Sequence, residues 1–198
     1  MTVASQPGLP WRVLSAWGDL RASMRSLLDS GLTEARLLMI AMLSGLIWFL
    51  QEVMLYRLGE RGQGLAGDEV SAFLAAQFMA AIFFRTLMLY AVAGVFGLIL
   101  RKCGGSGGWA ETRAAVFWAF LVTAPVRLVL VLISTVIGAD ALSQAEMIVA
   151  QAGPVLLVVV LSIFLAEVHK LKTWSIFAGI ACISLATVGL VALIPQVS

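Results

Sequence analysis

The chain has 198 residues, 61% of them hydrophobic and 12% charged, with a mean hydropathy of +1.01. A soluble domain carries about 45–50% apolar and about 25% charged residues, so this composition excludes a water-facing globular fold. A net charge of +2 gives no reason to expect nucleic acid as a partner, and the two cysteines, Cys103 in a polar loop and Cys182 in an apolar run, suggest no disulfide framework.

Residues 1–35 contain no continuous apolar core of secretory-signal length, so targeting is expected from the first spanning helix. Within them lies PWRVLSAWGDLRASMRSLLDS, residues 10–30. Val13, Leu14, Trp17, Leu20, Met24, Leu27 and Leu28 recur at helical spacing on one broad arc, while Arg12, Asp19, Arg25 and Asp29 mostly face elsewhere. That pattern predicts an amphipathic helix lying in the membrane interface, with Trp11 and Trp17 as anchors. A docking surface for a partner helix is the competing reading. Residues 1–32 form the N-terminal cytoplasmic segment in this reading, and 33–198 the membrane domain.

Five apolar stretches follow, near 36–56, 78–100, 114–137, 147–168 and 174–194. Each reaches the length of about 20 residues needed to cross about 30 Å of hydrocarbon. The second has an alternative start near Ser71, which would make it long and tilted or bent. The expected fold is all-α: a polytopic bundle of five transmembrane helices behind the interfacial helix.

Lysines and arginines in the connections set the orientation. Arg12, Arg21, Arg25, Arg36, Arg101, Lys102, Arg113, Lys170 and Lys172 fall on one side, nine in all, against Arg57 and Arg61 on the other. The excess predicts an integral inner (plasma) membrane protein with its N-terminus in the cytoplasm and its C-terminus outside.

The third span contains LVTAPVRLVLVLI, residues 121–133, with a proline and a permanent charge inside it. An arginine at a helix centre costs about 2.5–3.5 kcal/mol. Fourteen Val, Leu, Ile and Phe residues in the same span outweigh it, at roughly −0.3 to −0.6 kcal/mol each when central. Pro125 removes an amide and crowds the carbonyl of Leu121, predicting a kink, and Thr123 is a local candidate to satisfy the freed group. Arg127 lies about 20 Å from the inner boundary at Ala114, and Arg85 about 22 Å from the same boundary at Leu100. Glu52 sits near the outer end of the first span. These three predict an intramembrane cluster in which Glu52 pairs with Arg85 or Arg127. Either it fixes helix packing while the spare arginine snorkels to headgroups, or it holds a lipid phosphate or another anion.

His169 is the only histidine, which excludes a two-histidine haem site or a histidine-based zinc cluster within one chain. It reads as a boundary residue contacting headgroups. RKCGGSGGWAETR lacks the spacing of a phosphate-binding loop and reads as a flexible connection. The serines are scattered and no acid–base or metal constellation is visible, so neither an enzyme nor a cofactor is expected. Ala93 and Gly97 in the second span, and Gly179, Cys182, Ala186 and Gly189 in the fifth, place small residues where helices can approach closely.

The loop GGSGGWAETRAA, the mid-span proline in LVTAPVR and the short connection AEVHKLKTW resemble the membrane domain of the Yip (Ypt/Rab-interacting protein) family, particularly its compact bacterial branch, over about residues 33–194. The resemblance implies a helical integral membrane protein without known catalytic residues. Eukaryotic members are associated with small GTPases and vesicle traffic. A D-L-Y-G-P motif is absent here and the leading segment is short, so small-GTPase binding is not carried over, nor is any functional residue. The leading functional reading is a non-enzymatic membrane scaffold or accessory subunit, packing against itself as a homo-oligomer or against a larger membrane complex, with membrane lipids around it. The alternative is a transporter or lipid-handling protein built on the Glu/Arg cluster.

Overall fold

The computed structural model describes residues 8–57, 67–137 and 142–182, and the elements in them are helical. The leading segment forms two short helices, α1 (Leu9–Ser15) and α2 (Leu20–Asp29), where one continuous helix was expected. Pro10 falls in the first turn of α1, where its missing amide costs no hydrogen bond. The break comes at Trp17, Gly18 and Asp19, and the Asp19 carboxylate accepts from the amide of Ala22 at 2.9 Å to start α2. Gly31 then takes a left-handed backbone, φ +79°, after α2. Arg36 closes that turn by donating to the carbonyl and hydroxyl of Ser30 and to the carbonyl of Gly31.

The apolar stripe is largely covered by protein. Val13, Ala16, Met24 and Leu27 are buried in the core, leaving Trp11 and Leu14 well exposed and Trp17 partly so. Leu9, Pro10, Val13 and Leu14 border an apolar cleft of about 320 Å³ with Leu43, Ile47, Leu121 and Pro125. The α1–α2 hairpin therefore runs along the flank of the bundle. Polar contacts hold it there: the Trp118 indole donates to the Ser23 hydroxyl at 3.0 Å, and Arg21 donates to Thr173 at 2.9 Å. Glu167, almost buried, faces Arg21, Arg25 and Lys170 at 3.5, 4.0 and 3.1 Å. All three cations keep more than half of their side-chain surface in solvent, so each pair contributes less than about 1 kcal/mol. Glu167→Gln is expected to speed trypsin cleavage at Arg21 and Arg25 while the melting temperature barely changes. Unchanged cleavage would show that the apolar contacts alone hold the hairpin.

The bundle follows as α3 (Glu34–Arg57), α4 (Asp68–Met79), α5 (Arg85–Lys102), α6 (Trp109–Ile137), α7 (Leu142–His169) and α8 (Thr173–Cys182). Among the described residues four stretches are long and apolar enough to cross a membrane: Glu34–Tyr56, Asp68–Lys102, Trp109–Ile133 and Ala152–His169. This is the pattern of a multi-pass membrane protein. The second stretch is a continuous helix of 35 residues, beginning earlier than 78. Its midpoint is a π turn, Ala80–Phe84, joining α4 to α5. The beginning of the expected fifth span is α8; Ala186 and Gly189 lie outside the described residues.

At the centre stands α6, packed against α3, α5 and α7. From Ala114 to Ala119 it is buried all round, as a helix apolar on every face must be. Gly97 admits this helix: a β-carbon there would lie 2.9 Å from the Trp109 ring, and neighbouring Ala93 is fully buried. The small pair expected in the second span thus packs against α6. By contrast, Gly179 has nothing within 4 Å of its β-carbon position and Cys182 is exposed.

Candidate functional site

The polar layer inside the bundle is built from four helices. Gly45 of α3 comes so close to the π turn that a β-carbon there would meet the Ala81 carbonyl oxygen at 2.3 Å. A π turn adds one residue to the helix and rotates the succeeding side chains by about 100°. Arg85 is the first residue after it. Its guanidinium lies between two rings, 5.3 Å from the centre of Trp48 and 5.2 Å from Phe120. Desolvated contacts of this kind are worth about 2 kcal/mol or more. Its Nε is buried without a hydrogen-bond partner among the described residues.

Of the three expected cluster members, Arg85 and Arg127 line one cavity. Arg85 is close enough to feel the charges of Arg127 and Glu52, and Glu52 is buried at 8% exposure. The immediate neighbours of Arg85 are aromatic, however, with the Glu52 carboxylate acting at longer range. Arg127 lays its side chain over Gly153 of α7, where a β-carbon would be 3.2 Å from its Cγ and Nε. Arg85, Arg127, Gln51 and Thr123 share a cavity of only about 10 Å³, the lower limit for a single water.

The backbone around Pro125, which lies inside the continuous helix α6, is supported differently from the expectation. Thr123 donates to the carbonyls of Ala119 and Phe120, at 2.8 and 3.3 Å, rather than to Leu121. Gln51 crosses from α3 to donate to the Ala124 carbonyl at 2.9 Å. Gln51, a residue that the sequence alone does not single out, is a buried cross-helix donor, 4% exposed.

A second cluster forms at the basic end of the bundle, and it corrects two sequence expectations. His169 is 1% exposed, so it is a core residue, not a headgroup contact. Residues 103–108 are draped over it. A β-carbon on Gly105 would fall 2.6 Å from His169 Nδ1 and 2.8 Å from the Leu100 carbonyl oxygen; one on Gly107 would fall 2.5 Å from Val168. The glycines are there for close approach, and the Ser106 amide donates to the His169 carbonyl at 3.3 Å. Thr112 donates its hydroxyl proton to the Gly108 carbonyl at 2.8 Å and lies 3.0 Å from His169 Nε2. The network therefore assigns the histidine proton to Nε2, leaving Nδ1 a buried acceptor without a partner among the described residues. Glu111 accepts from the Gly108 amide at 2.8 Å, fixing the start of α6. Arg101 donates to the Gly107 carbonyl at 3.2 Å and stacks 4.3 Å from the Trp109 ring centre.

Gly105→Ala is expected to lift this loop at a cost of about 1–3 kcal/mol, as overpacking does. His169 should then become reactive to diethyl pyrocarbonate, to which the wild-type protein is protected. A variant with equally protected His169 would show that the loop does not cover it in solution.

No family model, curated protein or solved structure matches this chain. The resemblance to the Yip family therefore rests on its motifs, and the structure shows what those motifs do locally. GGSGGWAETRAA forms the loop over His169, LVTAPVR places Pro125 inside α6, and AEVHKLKTW supplies Glu167, His169 and Lys170.

Proposed function

We propose that this chain is a non-enzymatic scaffold or accessory subunit of the inner (plasma) membrane, related to the bacterial Yip proteins. In this reading it spans the bilayer five times, from a cytoplasmic N-terminus to an external C-terminus. Trp11, Leu14 and Trp17, the exposed part of the leading segment, meet lipid at the interface. The observation that carries the reading is the size of the space within the arginine layer, about 10 Å³. A carrier binds its substrate near the midplane and needs room to do so. Here Gln51 is turned to a helix–helix contact, while Ser44, Thr123 and Ser162 donate back to carbonyls of their own helices. Packing of that kind suits a fixed structural element.

Purification in mild detergent followed by native mass spectrometry tests this. A homo-oligomer or a stable co-purifying membrane protein is expected. A lone monomer that moves a solute across reconstituted vesicles would overturn the proposal. Reporter fusions at the two termini are expected to report opposite compartments.

A further inference from the structure

Most cations at the basic end are engaged. Arg21, Arg25 and Lys170 face Glu167, Arg113 holds Glu34 at 3.1 Å, Arg36 caps the α2 turn, and Arg101 holds the loop. Lys102 and Lys172 differ: neither ammonium has a hydrogen bond or ion pair among the described residues. Each is next in sequence to a residue that lines one feature. An apolar groove of about 160 Å³ runs between the end of α5 and α8, walled by Phe96, Ile99, Leu100, Leu171, Ile176 and Ile180. Cys103 and Ser175 also line it. Lys102 adjoins Cys103, and Lys172 adjoins Leu171 and accepts the amides of Ser175 and Ile176 with its carbonyl. Gly179 leaves the far part open, with nothing within 4 Å of its β-carbon position.

We propose that this groove binds a phospholipid with an anionic headgroup, its phosphate between Lys102 and Lys172 and an acyl chain along α8 toward Gly179. The apolar walls alone would accept any lipid, and the unpaired lysines are what select for negative charge. Carboxylates at this end do not compete: Glu167 is turned to the α2 side, Glu34 to Arg113 and Glu111 to the Gly108 amide. The N-terminal end of α8 adds positive potential through the helix dipole. Depth fits as well. Trp174, 77% exposed and stacked on Phe177 at 5.6 Å, lies two residues beyond Lys172, and exposed tryptophan is enriched at headgroup level. A free phosphate would use the lysines and leave the groove without a role. The inference needs a surrounding bilayer; it does not depend on the scaffold reading.

The test is the melting temperature of the full chain in mild detergent, titrated with phosphatidylglycerol, with phosphatidylcholine of the same acyl chains, or with inorganic phosphate. Phosphatidylglycerol is expected to stabilise at far lower concentration than phosphatidylcholine. Each of Lys102→Gln and Lys172→Gln should weaken that response about fivefold, the value of one lysine near an anionic surface. Gly179→Leu should abolish it by filling the groove with both lysines intact. Equal response to phosphatidylcholine, or an unchanged midpoint in the double lysine variant, overturns the proposal. So does reproduction of the shift by inorganic phosphate. A Gly179→Leu variant that turns a dimer into a monomer would assign the groove to a second copy of the chain and would likewise overturn it.

Discussion

Gly45→Ala is expected to destabilise the protein by about 3 kcal/mol, the upper end of the usual range for overpacking. The clash is with backbone: the new methyl group would stand 2.3 Å from the Ala81 carbonyl oxygen and 3.2 Å from its carbon. No rotamer change relieves that, so α3 and the π turn must separate. Separation also moves Arg85, whose Cδ lies 3.9 Å from the same point, and loosens its seat between Trp48 and Phe120. In a chain of this length the loss corresponds to a fall in melting temperature of about 6–12 °C, readable by tryptophan fluorescence in detergent. Gly94→Ala is the control, because nothing lies within 4 Å of its β-carbon position. It should leave the melting temperature equal or slightly raised, since alanine is favoured over glycine in a helix by about 1 kcal/mol. If the two variants melt alike, the close approach of α3 to the π turn does not exist in solution.

The elements most plainly written in the sequence are those set by the solvent. Long apolar runs crossing the bundle follow from composition, because a chain so poor in charge has little else to do with its backbone polar groups than close them within helices. The arginine layer was legible for a related reason. Arg85, Arg127 and Glu52 stand out where charge is costly, and counting residues from the helix ends puts them at one depth. Their neighbours were not legible. Trp48 and Phe120 are two aromatic residues among many, and only the rotation introduced at Ala80–Phe84 brings Arg85 between them. Nothing in AAIFF marks a π turn. Its partner, Gly45, is visible only as a small residue in an apolar run.

The basic end failed in the opposite direction: the signal was present and its usual meaning misled. Four glycines around Ser106 suggest flexibility, yet Gly105 and Gly107 are small because His169 lies against them. A histidine beside Lys170 reads as a boundary residue, whereas the loop at Gly105 and Gly107 lies against its ring and the ring is buried. The Leu171 amide donates back to the Ala166 carbonyl at 3.2 Å, with Lys170 in a left-handed conformation, φ +55°. In the leading segment the apolar spacing places Val13, Met24 and Leu27 in the core and leaves Leu14 exposed. Its break at Gly18 and Asp19 carries an N-cap signature that the regularity of the stripe obscures.

Trp118 of α6 is tied to α2 through Ser23, and Trp118→Ala is expected to cost about 3–5 kcal/mol. The indole is fully buried and belongs to the same hydrophobic core as Met24 and Leu27 of α2. Truncation removes packing on both sides, and the surrounding helices cannot close the space without moving α2. It also leaves the Ser23 hydroxyl without the indole donor at 3.0 Å. Trp118→Phe separates these contributions, keeping most of the ring volume and losing the hydrogen bond, worth about 1 kcal/mol. The alanine variant should both melt lower and expose Arg21 and Arg25 to trypsin, whereas Glu167→Gln should do only the second. Combining Trp118→Ala with Glu167→Gln should add little further trypsin sensitivity, because both act on one hairpin and such effects are not independent. A Trp118→Ala protein that melts as wild type would mean that the hairpin and the bundle are held together elsewhere.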